Sequence, residues 1–481
     1  MKAGGLGNSE LPTFRLLLSG ICAVLAGGFH IGFQISLISP LAATLQEFMV
    51  DSIQSRYQIE ISEIFLRILF SSVAGILFIG AIIGAAVIPQ LMTRFGCRWS
   101  FVFANLAMIV GLFMASFSKP INSAEVFILS RLVVGICVGM STTIQGVFLT
   151  EISPLSCRGL MGTMAGLATN IGFTVASALG LPTVFGCKNY WPILFYLELI
   201  PCLLHLFLLV ISVVESPQYF LRKNNEEDAR NALSLYSHNK SSIGDELARL
   251  KNELICNTET AGWSTLYKDK AVRQALLLSV VLNVAVSFSG VMATSFFGVF
   301  LLAETGFSQN GAALANCLSS FSGTVGCILS SYSIEKIGRR PLIIGSLLSL
   351  VGVNSGMMVV VWTFLNYRII WLGYVFLLLF NIFLIVFSVG IGPLAWFIST
   401  ELTGPTCRAR VQSLSISAQY ISCFICPTIY FPLQKIAGPF SFLLFIVPLL
   451  LSAFYMYFYL PETKNRSAEN IRAVLENCQV E

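Results

Sequence analysis

The charged residues of this chain are few, and many stand in short words that occur twice. Of 481 residues, 29 are Lys or Arg and 24 are Asp or Glu. Arg94-Phe-Gly-Cys-Arg98 is matched by Lys336-Ile-Gly-Arg-Arg340, with Gly96 and Gly338 lying 242 positions apart. Glu151-Ile-Ser-Pro leads to Arg158, Glu401-Leu-Thr-Gly-Pro leads to Arg408, and the two glutamates are 250 apart. Glu215-Ser-Pro is matched by Glu462-Thr-Lys, 247 apart. Three different words at nearly one offset mark an internal duplication. The chemistry open to these groups is ion pairing, with Arg94, Arg98, Arg158, Arg339, Arg340 and Arg408 facing Glu151, Glu335 and Glu401. Pairs of this kind form when helix ends meet and break when they part, which suits a gate. They can also anchor helix ends at the headgroups, but repetition of the complete set favours the gate.

No covalent chemistry is legible. The chain has no Ser/His/Asp set, no H-E-x-x-H, no metal-ligand spacing and no phosphate loop. No catalytic residue, cofactor or metal is expected, and an enzyme is not the reading. The 13 cysteines are scattered. Cys423 and Cys426 form a C-x-x-C, but in an apolar run without His or acidic neighbours, so they read as small buried hydrophobes. Nothing repeats as a channel filter. The net charge of +5 is too weak to point to nucleic acid.

The elements that must carry the repeated words are apolar. Hydrophobic residues make up 56% of the chain and charged residues 11%, against about 25% charged in a soluble domain. The apolar runs are continuous rather than alternating, which excludes a membrane β-barrel. Runs near 16–39, 68–92, 99–118, 125–150, 159–182 and 191–214 form a first set of six. Runs near 273–303, 311–334, 341–365, 369–398, 411–433 and 440–460 form a second. Each is long enough for one helix through the bilayer. The first run is too long for a signal peptide.

The expected fold is an all-α membrane protein of twelve transmembrane helices in two six-helix bundles, residues 1–214 and 273–461. A linker of short amphipathic helices, 215–272, joins them, and a tail, 462–481, follows. The repeated words lie two spans apart, so all are on one side. That side carries most of the Arg and Lys, while the other holds Arg56, Lys119, Lys188, Arg368 and Lys435. The positive-inside rule places the words and both termini in the cytosol. The sequons at Asn239 and Asn465 fall in those same charged stretches. Parallel repeats around a cavity describe an alternating-access carrier, with a small-molecule solute and the lipid bilayer as partners and a monomer sufficient for transport.

At this point the words resemble those of the sugar porter family of the major facilitator superfamily, and within it the animal facilitative glucose transporters. The resemblance runs from about Gly28 to Ile471. It rests on Gly32-Phe-Gln, Arg94-Phe-Gly-Cys-Arg98, Arg131-Leu-Val-Val-Gly135, Glu151-Ile-Ser-Pro with Arg158-Gly, and Glu215-Ser-Pro-Gln-Tyr. In the second half it rests on Glu335-Lys-Ile-Gly-Arg-Arg340, Gly392-Pro-Leu-Ala-Trp396-Phe, Glu401 with Arg408, and Leu460-Pro-Glu-Thr-Lys464. It implies the major facilitator fold, facilitative hexose transport and a plasma-membrane location.

The central pocket departs from the family pattern. Gly166 stands where relatives carry a span 5 Gln, and Gly323 where they carry a span 8 Asn. Val286, Ser287 and Met292 replace the amides of span 7. An amide donates and accepts, as a polyol requires, so these losses leave the hexose assignment open. The resemblance still implies Trp396 as a flat wall under the ring, Gln419 as a retained amide, Tyr420 beside it, and Thr142 in span 4. Asn170, Ser177, Asn283 and Thr294 are polar residues near the expected cavity. Phe296 and Phe297 stand where relatives carry an outer-gate Tyr pair.

Coupling turns on one position. Proton-coupled relatives place an Asp in span 1, and here it is Gln34, which cannot titrate. Glu198 is a carboxylate inside span 6 and is expected to find a local partner. Arg131 inside span 4 reads as structural, and His30 and His205 as satisfied neutral groups. Uniport of a hexose or related small polar solute is the expectation. A carrier of a polyol or organic anion, and a proton symporter, stay open as alternatives.

Overall fold

The computed structural model describes residues 12–58, 62–154, 157–236, 243–255, 265–304, 306–369 and 371–477. The described residues form helices and connecting turns, with no strand among them. The first half holds α1 (Phe14–Ala26), α2 (Gly28–Ser36), α3 (Ile38–Tyr57), α4 (Glu63–Phe117), α5 (Ala124–Ile152), α6 (Arg158–Leu179), α7 (Trp191–Leu197) and α8 (Leu199–Ile211). The connecting segment holds α9 (Pro217–Arg222), α10 (Glu226–Tyr236), α11 (Ile243–Ile255) and α12 (Thr265–Lys268). The second half holds α13 (Lys270–Ser287), α14 (Val291–Glu304), α15 (Gln309–Ile337), α16 (Arg339–Tyr367), α17 (Leu372–Val389), α18 (Ile391–Ala395), α19 (Ile398–Leu402), α20 (Arg408–Ala437) and α21 (Leu443–Tyr459), followed by α22 (Ala468–Asn477).

Nine stretches of the described residues are long and apolar enough to cross a membrane. Two of them, Ser72–Phe117 and Arg408–Tyr459, have double length and hold two spans each. α6 adds another span, its hydropathy lowered by Gly, Thr and Asn. The twelve-helix, two-bundle fold expected from the apolar runs is therefore present.

Several spans are broken where the sequence suggested one run. The first divides at Gly27, the sixth at Glu198 and the tenth at Gly390 and again beyond Ala395. The seventh breaks between α13 and α14, where Gly290 takes φ +104°. Ser289 helps there by turning its hydroxyl back to the Val286 carbonyl at 2.8 Å. An apolar run does not report such a break, because one glycine suffices and hydropathy does not change.

Helix starts follow capping chemistry. Ser123 accepts from the Val126 N–H to open α5, Ser308 accepts from Gly311 to open α15, and Asp269 caps α13. Each satisfies one of the free N–H groups of a first turn. Inside the first bundle, α4 and α5 meet on a seam of small residues. A Cβ added at Gly84 would lie 2.0 Å from the Ile136 carbonyl, and one at Gly139 2.0 Å from that of Ala81. Only glycine permits backbones this close, and such contact holds helices together in lipid, where no hydrophobic force acts between them. The two halves meet along α6 against α15 and along α4 against α20.

Candidate solute site and gate

The repeated words form one motif face, and its unit is built twice. Gly96 takes φ +85° and Gly338 φ +99°, a backbone that only glycine adopts freely. Each turn starts a new helical segment and aims two N–H groups outward. Glu215 accepts from Cys97 N at 3.0 Å and Arg98 N at 2.9 Å. Glu462 accepts from Arg339 N at 2.9 Å and Arg340 N at 3.1 Å. A carboxylate on a helix start is held by charge-assisted bonds and by the helix dipole. Burial pushes the Glu215 carboxyl above the usual carboxylate range, and the N–H groups of Ser216, Arg98 and Cys97 pull it back.

The next residue of each clamp holds the second acidic group. Ser216 donates to Glu151 at 2.5 Å, and Thr463 donates to Glu401 at 2.6 Å. Beyond this the halves differ. Glu401 is met by Arg339 at 3.2 Å, and Glu335 lies 3.5 Å from the same guanidinium. The repeat partner of Arg339 is Cys97, which carries no charge. Glu151 is met instead by Arg222 of α9 at 3.0 Å. Arg222 is a residue that sequence reasoning missed, because it lies outside every repeated word.

Hydrogen bonds tie the first half and the linker to the second half on this face. Arg222 donates to the Pro405 carbonyl at 3.3 Å, and Arg408 to Gln218 Oε1 at 3.1 Å. Leu160 N donates to Glu335 at 3.1 Å, and the hydroxyls of Thr150 and Thr400 are 2.6 Å apart. Arg339 and Glu335 press so close to Gly159 that a Cβ there would lie 2.4 Å from each. The motif face is closed. Arg408 also donates to the Thr400 carbonyl at 3.0 Å. Arg158 opens α6. Arg94 lies over the Phe95 ring at 5.2 Å, Arg98 takes part through its backbone, and Arg340 donates to the Tyr457 carbonyl at 2.8 Å.

Above the closed face lies a cavity between the halves. Ile31, Ile35, Phe78, Phe173, Val286, Val291, Met292, Phe387 and Trp396 give it apolar walls. Thr169, Asn170, Gln419 and Tyr420 are its polar side chains, with Cys423 beside them. The Gln419 amide oxygen is buried without a hydrogen-bond partner. The Tyr420 hydroxyl is 2.8 Å from that of Thr142, so Thr142 stands behind the wall and orients Tyr420. No Lys, Arg, Asp or Glu lines the cavity among the described residues.

The remaining expected residues are spread further. Asn170 donates to the Gly166 carbonyl at 3.0 Å and accepts from Ser388 at 3.2 Å. Ser177 bonds Ser36 at 2.8 Å, and Asn283 donates to the Ser279 carbonyl at 2.8 Å; neither lines the cavity. Thr294 lines a second, adjoining cavity toward the opposite face. Phe296 meets Phe78 edge-on with ring centroids 6.1 Å apart, and the Phe297 side chain lies outside the described residues. Ser287 turns away, donating to the Gln419 carbonyl at 3.1 Å. At Gly166 the room for a side chain is taken by Pro393, 2.7 Å from a built Cβ.

The sequence-matched pattern of the whole chain decides the family. A family model described as sugar (and other) transporter matches residues 20–475. The chain belongs to this sugar transporter family. It is 27% identical over 463 residues to the facilitated glucose transporter member 1 of Gallus gallus, covering 95% of this chain and 93% of that one. It is 25% identical over 479 residues to member 3 of Ovis aries, covering 98% and 94%. Among solved structures it resembles the proton:xylose symporter XylE bound to 6-bromo-6-deoxy-D-glucose, with TM-score 0.82, 21% identity, and 96% and 99% of the two chains covered. The inward-open form of XylE from E. coli gives TM-score 0.69 at 20% identity, with 95% and 99% covered.

This family member also buries a polar chain inside its first bundle. Arg131 donates to the Gln34 side chain and, at 3.3 Å, to the Gln34 carbonyl. Gln34 donates to Glu198 at 2.5 Å, and His30 lies 2.9 Å from the other Glu198 oxygen. The far nitrogen of His30 is 3.3 Å from Cys202 Sγ. Glu198, expected to find a local partner, is 1% exposed and is held by Gln34 and His30 of α2.

Proposed function

We propose that this chain is a uniporter of a hexose or a related uncharged polyol, rocking its two halves about the central cavity by alternating access. The observation that carries the reading is the unpartnered Gln419 amide oxygen, which shares with Trp396 a cavity that no charged side chain lines among the described residues. An aromatic face and an amide suit a ring that carries hydroxyls. Absence of a cationic wall disfavours an organic anion. Trp396, Gln419, Tyr420 and Asn170 contact the solute, Thr142 orients Tyr420, and Thr294 borders the route on the opposite face. Ser177 links its span to two others through the hydroxyls of Ser36 and Ser320, and Asn283 bonds back to its own helix at Ser279. Phe296, edge-on to Phe78, narrows the opposite entrance by bulk.

On the motif face, Glu151, Glu335, Glu401, Arg339 and Arg408 form the gate, with Arg94, Arg98, Arg158 and Arg340 beside them. That face and both termini are cytosolic by the distribution of Arg and Lys, and the plasma membrane is the site of action by likeness to the glucose transporters. Uniport follows from Gln34, which cannot release a proton. Glu198 is already engaged by Gln34 and His30, which favours a structural role.

Labelled hexose, polyol and organic-anion uptake into reconstituted vesicles, with and without a pH gradient, tests the reading. Hexose or polyol uptake that ignores the pH gradient supports it. Uptake of anions alone, or uptake that collapses without the gradient, overturns it.

A further inference from the structure

The second cavity holds a polar side chain that no repeated word contains. Asn316 on α15 is 8% exposed and lines that cavity. Its amide makes no hydrogen bond to the described residues, although its backbone carbonyl accepts from Ser320 at 3.0 Å. The amide opens to the cavity, and an unpaired amide facing a cavity in an apolar span points to a ligand.

The neighbours sharpen what that ligand must offer. Two of the hydroxyls around it donate to backbone carbonyls, Thr294 to Val291 at 2.9 Å and Ser320 to Asn316 itself at 3.0 Å, and that of Ser36 lies 2.8 Å from the Ser177 hydroxyl. They offer lone pairs to a solute. Asn316 offers both donors and an acceptor. A solute hydroxyl donates and accepts, so it can satisfy an amide and a hydroxyl in turn. No charged side chain lines this cavity among the described residues. Gly298 makes the space, since a Cβ there would lie 2.4 Å from Asn316 Oδ1.

Register adds a second argument. Asn316 precedes Gly323 by seven residues, two turns on the same helix face and about 10 Å further from the motif face. A side chain at Gly323 would displace the Asn170 amide, whose Oδ1 would lie 2.6 Å from its Cβ. The polar position of α15 has thus been displaced outward along one face. Both cavities share Asn170, Phe173, Val291 and Phe387, so a solute in one borders the other.

We infer that Asn316 is a specificity-determining residue, binding a hydroxyl of an uncharged polyol in the second cavity. This rests on the polyol-carrier reading. The test is transport of glucose and its single-deoxy analogues by wild type and Asn316→Ala in reconstituted vesicles. The account expects KM for glucose to rise about tenfold with kcat nearly unchanged, as for loss of one buried hydrogen bond. One deoxy analogue that wild type handles poorly should become equal to glucose for the variant. Asn316→Ser, which keeps a donor and an acceptor, should fall between and guards against a folding defect. The same ranking of analogues in wild type and both variants overturns the inference alone. Absence of any polyol transport by wild type overturns it together with the functional reading.

Discussion

At the scale of single residues, the side chains of the proposed solute site differ in how much polar capacity they leave unspent. Tyr420 is tied to Thr142 and Asn170 to Gly166, Cys327 and Ser388, but Gln419 keeps a free acceptor. Trp396, 8% exposed, offers its face instead. Trp396→Ala should weaken solute binding by about 2 kcal/mol through lost apolar contact, roughly 30-fold in Kd. Binding isotherms on purified protein check this, and unchanged affinity removes Trp396 from the site. Trp396 stood out because it sits in a word shared with relatives, and Gln419 because it keeps an amide where relatives carry one. Asn316 and Arg222 did not, because a lone polar residue in an apolar run, or a lone cation in a charged linker, carries no period and no repeat. Ser287 looked like a lost ligand and turns out to bond the backbone of the facing helix, a direction that spacing alone does not give.

At the scale of elements, a glycine turn, an acidic clamp and a hydroxyl recur on both halves, and their contacts discriminate between neighbouring arginines. Arg339 meets the buried Glu401, while Arg340 reaches a carbonyl near the surface. Arg339→Leu should therefore slow exchange more than Arg340→Leu, and Glu401→Gln should act like Arg339→Leu. Breaking one partner of a buried pair costs about 3–5 kcal/mol, so the closed state loses population while the folded carrier persists. Exchange rates in vesicles, with surface expression as control, check the order. Equal rates for Arg339→Leu and wild type would remove the ion pair from the gate. The α4–α5 seam makes a separate claim. Gly139→Leu should reduce thermal stability in detergent by several degrees, since its side chain has backbone at 2.0 Å and overpacking costs about 1–3 kcal/mol or more. An unchanged melting temperature contradicts the close packing. The repeated words marked which residues gather on the motif face, but not that the glycine turns offer backbone N–H groups to Glu215 and Glu462. The breaks at Gly27, Glu198, Gly290 and Gly390 stayed hidden because hydropathy is blind to a single backbone turn.

At the scale of the whole molecule, two similar bundles share one cavity, and the motif face is closed by bonds that cross between them. The asymmetry at Cys97 and Arg339 lends that closure to the linker on one side and to the second bundle on the other. The polar chain from Arg131 through Gln34 to Glu198 and His30 lies wholly within the first bundle. It can hold α2, α5 and α8 together as they rock, with no need to exchange a proton. The proposed activity is exchange of an uncharged polyol through alternating exposure of one site. Counterflow measures that most directly. Vesicles preloaded with unlabelled hexose, with equal pH inside and out, are given labelled hexose outside. The account predicts a transient overshoot of label that is lost in Trp396→Ala and slowed in Glu401→Gln. Absence of an overshoot in the wild-type protein contradicts it.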